Sequence, residues 1–167
     1  TNYNDLPREA IVASKRAILD TLGVALAGST QPVGKIAIEY VKEIGGTHQA
    51  GIIGGGMKTS VTNAAFANGV LAHAVDLDET WLPLGHPTCT VLPVVLALGE
   101  KLGCSGKHII NAYVLGAEVH GKIGHNHTTP GFHSTGIHGT LAAAGAAAKL
   151  LGLDAWKTRM ALAAATS

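Results

Sequence analysis

Apolar residues recur along most of the chain at the spacing of one helix face, and no segment sustains the alternation of a half-buried strand. From Pro7 to about Ala27, a first helix is expected to bury Ile11, Ile18, Leu19, Leu22 and Leu26 while Arg8, Glu9 and Arg16 face water, with Gly28 as its stop. Gln31-Pro32 restarts the chain, and a second amphipathic helix over Val33 to Ile44 ends at Gly45-Gly46. Ala50 to Gly56 reads as a loop or short extended piece. Ser60 caps a third helix through Ala74, and Pro87 opens a fourth that reaches Gly103, with Pro93 near enough to its start to bend it. Ser105 caps a fifth, His108 to about Gly124. After a polar loop from His125 to Ser134, a sixth helix, Thr135 to Leu151, is almost all Ala, Gly and Leu, so neighbours can approach its backbone closely. Asp154 begins a seventh. The fold class is therefore all-α: a multi-helix bundle, one helical domain over residues 1–167.

Composition sharpens this picture. At 47% hydrophobic and 14% charged, the chain has few polar side chains with which to cover a solitary bundle, so a partner surface is expected. A net charge of +1 without like-charge runs argues against nucleic acid and anionic membrane as partners. Val91 to Gly99 is too short to span a bilayer, and the apolar run around Leu141 to Leu153 is interrupted by Lys149 and glycines. Cys89 and Cys104 form no Cys-x-x-Cys pair and read as ordinary buried thiols of a reducing compartment, the cytoplasm by default. The first residues lack a basic, apolar leader and an initiator methionine, and the last ones fall inside a helical pattern; the expectation is a fragment of a longer protein.

Two loop-to-helix junctions carry the best candidate chemistry: Gly85 to Thr90 and Gly131 to Gly136. Each sets a histidine, His86 or His133, beside the free N–H groups and positive dipole end of a helix, a combination suited to a carboxylate. The bland alternative is that His86 and His133 are helix caps whose rings merely satisfy backbone groups. Between the third and fourth helices, His73 to Thr80 holds Asp76 and Thr80, which share a face if the third helix runs on by one turn. Asp76, Asp78 and Glu79 could instead hold a hard cation or form a solvated helix end, and His120, His125, His127, His133 and His138 invite a zinc hypothesis. No His-Glu-x-x-His motif or cysteine pair supports zinc, and no nucleophile elbow or phosphate-binding loop is present, so metal ranks last and no cofactor is expected.

Several blocks in order resemble the MmgE/PrpD family, which includes 2-methylcitrate dehydratase, cis-aconitate decarboxylase and iminodisuccinate epimerase: Ile18 to Gly28, Asn63 to His73, Asp76 to Thr80 with His86-Pro87, Gly131 to Thr135, and the Ala-rich helix leading to Leu153. The resemblance implies a helical domain completed by an α/β lid outside this chain, a homodimer, no metal, and a lyase or isomerase acting on a small di- or tricarboxylic acid. It places Asp76, Thr80, His86 and His133 in the active site, and the catalytic lysine and the lid's histidine and tyrosine beyond Ser167. Glu79 and Thr166 depart from the family's usual Asp and Gly. The fragment alone is expected to be inactive. The rival reading is a non-catalytic helical assembly module whose histidines are structural.

Overall fold

The computed structural model describes residues 1–125 and 131–166. Within them lie seven α-helices: α1 (Arg8–Gly28), α2 (Pro32–Ile44), α3 (Val61–His73), α4 (Pro87–Leu102), α5 (Gly106–Gly124), α6 (Ser134–Leu150) and α7 (Ala155–Ala164). A two-residue antiparallel ladder, β1 (Ala50–Gly51) with β2 (Lys58–Thr59), folds the Ala50 to Gly56 segment into a small hairpin. The boundaries follow local chemistry. Ser60, Ser105 and Asp154 accept from the backbone N–H of Asn63, His108 and Lys157, Pro32 and Pro87 sit in first turns, and Gly103 closes α4 in the left-handed region at φ 64°.

Helix α4 is central, packed against α1, α3, α5 and α6, and it continues through Pro93. Its Val91, Leu92 and Val95 meet Ala17, Ala112, Tyr113, Ala142 and Ala146 in the main core. A second cluster joins Ala25, Val41, Ile52, Ala67, Leu71 and Cys89. Helix α6 meets the expectation of close backbone approach: a Cβ at Gly139 would lie 2.5 Å from Thr90 Cγ2, and one at Gly116 on the facing α5 would lie 3.1 Å from the Ala142 carbonyl.

The first helix is turned differently from its expected orientation. The buried stripe of α1 consists of Ser14, Ala17, Thr21, Ala25 and Gly28, whereas Leu19 and Leu26 are 73% and 57% exposed. The cause is proximity: a Cβ at Gly28 would run into the Leu71 carbonyl of α3, and only small residues permit that approach. Ile18 and Leu22 still pack at the core's edge. No described helix is long and apolar enough to cross a membrane.

Candidate functional site

Helix α3 does not run on to Thr80. It ends at His73, with Ala74 as its C-cap, and the chain then reverses through Asp76, whose φ of 54° is left-handed. Asp is among the few non-glycine residues at ease there. The helix thus stops where the sequence places its end, the extra turn is absent, and Asp76 and Thr80 share no helix face. Both instead meet the ring of His86: Asp76 Oδ1 lies 3.5 Å from Nε2, and Thr80 Oγ1 lies 3.4 Å from each ring nitrogen, a long contact that does not choose between them.

His86 and His133 occupy the two junctions as expected, as the N-cap residues of α4 and α6. Among the described residues neither imidazole bonds the free N–H groups of its own helix, although the His86 ring does meet a backbone carbonyl, that of Asp78. The junctions are stitched together: the His86 backbone N–H donates to Thr135 Oγ1 at 3.0 Å, and Gly85, at φ 92°, leaves room for Thr135. Trp81 and Gly85 pair as an isolated antiparallel bridge, which closes the loop that delivers His86.

Two groups that sequence reasoning leaves outside the site complete it. The His73 ring lies 4.8 Å from that of His86 and 6.2 Å from that of His133, centroid to centroid, so it joins the two junctions. Asp78, far from being a solvated helix end, has a fully buried side chain. Its Oδ1 accepts from His73 Nδ1 at 2.8 Å, and its backbone carbonyl accepts from His86 Nδ1 at 3.1 Å. Asp78 Oδ2 lies 3.3 Å from His86 Nδ1 without the alignment of a hydrogen bond. With both Nδ1 atoms acting as donors, both Nε2 atoms are left for chemistry. Position within the chain offers one clue to His73, which stands at the last turn of an apolar helix next to the acidic segment.

Glu79 turns away. Its Oε2 accepts from Thr88 Oγ1 at 2.6 Å and lies 3.4 Å from Tyr113 Oη, so the acidic trio is no single cation site. Burial pushes the Tyr113 hydroxyl upward, and burial together with the Asp78 carboxylate raises the Cys89 thiol, leaving both protonated and inert.

The suggested five-histidine cluster also divides. His120 and His138 are buried together with rings 5.4 Å apart, His120 Nε2 donating to the Leu84 carbonyl at 2.9 Å. His125 ends α5, His133 belongs to the other group, and His127 lies outside the described residues.

The resulting site is open. Asp76 is 77% exposed at its side chain, and Thr80 and His133 face solvent, while Asp78 and the start of α4 form the floor. Imidazoles and hydroxyls at two helix N-termini can receive a carboxylate, and the paired imidazoles can move a proton beside it.

A family model described as the MmgE/PrpD N-terminal domain matches residues 1–167. The chain is 41% identical to cis-aconitate decarboxylase of Homo sapiens, over 97% of this chain and 36% of that protein. It is 38% identical to the Mus musculus cis-aconitate decarboxylase, over 98% and 36%, and 30% identical to that of Aspergillus terreus, over 90% and 33%. The chain thus spans roughly a third of the length of these relatives.

Proposed function

The chain belongs to the MmgE/PrpD family, as its N-terminal domain, and on that premise we propose that the protein carrying it is a lyase for a small di- or tricarboxylic acid, acting by proton transfer at the carbon next to a carboxylate. The observation that carries this reading is the convergence of His73, His86 and His133 with Asp76 on one open surface at the starts of α4 and α6. Among the outcomes open to such a site, similarity to cis-aconitate decarboxylases favours decarboxylation of an unsaturated tricarboxylate over dehydration or epimerisation. The carbon–carbon bond to the departing carboxylate breaks and its electron pair forms a new double bond. The electrons of the original double bond then take up a proton at the far carbon, next to a second carboxylate.

In this scheme His86 and His133 bind carboxylates and exchange protons, Asp76 orients the exchanging group, and Thr80 hydrogen-bonds the acid. Asp78 holds both Nδ1–H groups, so that proton exchange falls to the Nε2 atoms. The open face is to be covered by the remainder of the protein, which supplies further catalytic groups. The reading includes a cytoplasmic homodimer, with exposed apolar side chains such as Leu19, Leu26 and Ile36 available for burial against the rest of the assembly.

The test is turnover of cis-aconitate and 2-methylcitrate by the intact protein. His86→Ala and His133→Ala are each expected to lose about 10²–10⁴-fold in rate while keeping the fold. Wild-type rates in both variants would sink the assignment, and a citrate-like acid that fails to raise the melting temperature would favour the non-catalytic assembly module.

A further inference from the structure

We infer that His73 is a further proton-carrying residue of this site: across the Asp76 carboxylate, its Nε2 and that of His86 hold one proton between them, the proton that the reaction proposed above delivers to carbon. The delivery rests on that reading; the shared proton rests on geometry.

Hydrogen-bond roles fix where the lone pairs lie. A neutral imidazole carries one N–H and one lone pair. The Asp78 backbone carbonyl can only accept, so the hydrogen of His86 stands on Nδ1, and the buried Asp78 carboxylate likewise takes the Nδ1–H of His73 at 2.8 Å. Both Nε2 atoms then present lone pairs, and both face another acceptor, Asp76 Oδ1, 3.5 Å from His86 Nε2 and 3.8 Å from His73 Nε2. Thr80 Oγ1 reaches His86 Nε2 at 3.4 Å, but among the described residues nothing donates to His73 Nε2. One added proton turns this facing of acceptors into attraction. On either ring it makes an N–H aimed at a carboxylate, a charge-assisted bond that the exposed Asp76 side chain can shorten by rotating. Two added protons would set like charges on rings whose centroids are 4.8 Å apart. The unit therefore holds one. Around it, His133 on α6 faces His73 ring to ring at 6.2 Å, Glu79 is turned to Thr88, and the Cys89 thiol on α4 donates to the His86 carbonyl at 3.3 Å.

Loss of carbon dioxide from a carboxylate consumes one proton per turnover. His86 Nε2–H gives it to the far carbon as the electrons of the original double bond form the new C–H bond, and both rings are left neutral. Solvent then returns one proton. His73 has 30% of its side chain exposed against 16% for His86, and so receives it; Asp76 carries it across by accepting from His73 Nε2 and giving to His86 Nε2. The Asp78 carboxylate steadies the positive charge while His73 holds it.

The shared proton is read without turnover. In the intact protein carrying isotopically labelled histidine, nitrogen NMR follows the rings of His73 and His86 against pH. Both are expected to keep Nδ1–H, and their Nε2 signals to shift together in a first step that sums to a single proton; in Asp76→Asn the two should shift separately. Independent steps in the unmutated protein, or a bare Nδ1 on His73, overturn the inference. Turnover then tests the delivery. Asparagine places an amide N–H where histidine has Nδ1, so His73→Asn retains the bond to Asp78 and removes Nε2. Its kcat for cis-aconitate is expected to fall about 10²-fold with the melting temperature held. A purely structural His73 predicts the wild-type rate, and that rate would overturn the inference. If the unmutated protein turns over neither cis-aconitate nor 2-methylcitrate, the proposed activity fails, while the nitrogen signals still decide the shared proton.

Discussion

The backbone N–H of His86 donates to the side-chain hydroxyl of Thr135, 3.0 Å away, and so ties the start of α4 to the first turn of α6. Thr135 is buried, so removing its oxygen leaves a backbone donor with nothing to bond. Thr135→Val is expected to cost about 1–3 kcal/mol in urea unfolding. Thr135→Ser keeps the acceptor and should recover most of the loss; equal stability of the two variants would show that this bond contributes nothing.

Gly85 stands immediately before that bond, at φ 92°, where a Cβ would lie 2.5 Å from Thr135 Oγ1. Gly85→Ala therefore carries both backbone strain and a collision. A loss of about 1–3 kcal/mol is expected from the backbone alone. Because the collision displaces His86, turnover of the intact protein should fall further than stability does. A variant with wild-type stability and rate contradicts the role given to this turn.

The contact of α6 with α4 and α5 leaves no space for added methyl groups. Gly139→Ala would press on Thr90, and Gly116→Ala on Val91 and Ala146, whose nearest atoms lie 2.6 and 3.0 Å from the new carbon. Each is expected to lower stability by about 1–3 kcal/mol. Gly106→Ala, at the start of α5 where an added methyl meets open space, should stay close to wild type in the same denaturant titration.

His120 makes stability depend on pH. Burial, with a smaller effect from His138, lowers its affinity for a proton below the ordinary value of 6.5. The unfolded chain therefore binds protons more readily than the folded one. The stability it contributes is complete above pH 6.5 and is lost as pH falls toward the depressed folded value. Melting temperatures measured from neutral pH downward should fall, and His120→Gln, which can still donate to Leu84, should flatten the slope. An unchanged slope in that variant would move the effect to other groups.

The helices are legible in the sequence because their ends are written in short-range chemistry: Ser60, Ser105 and Asp154 accept from the N–H groups they face, and Pro32, Pro87 and Gly103 mark turns. The facing of α1 is not. Its leucines and its small residues both recur at helical spacing, and only the approach of α3 decides that Gly28 and Ala25 go inward. In the candidate site, His86 and His133 are visible as histidines at helix starts. His73 and Asp78 are obscured because the chain reverses at Asp76, a bend that helical periodicity does not report. The separation of Glu79 from its acidic neighbours likewise depends on Thr88 and Tyr113, which lie 9 and 34 positions away in the chain.

Alanine and glycine have almost no side-chain rotamer freedom to lose when a chain orders. In α6 the stretch from Ala142 to Ala148 consists of nothing else, and its buried members lock against α4 and α5. Positioning His133 and Thr135 at the head of this helix thus demands little side-chain entropy, and thermal motion has few alternative packings through which to blur the distance between the two imidazole-bearing turns.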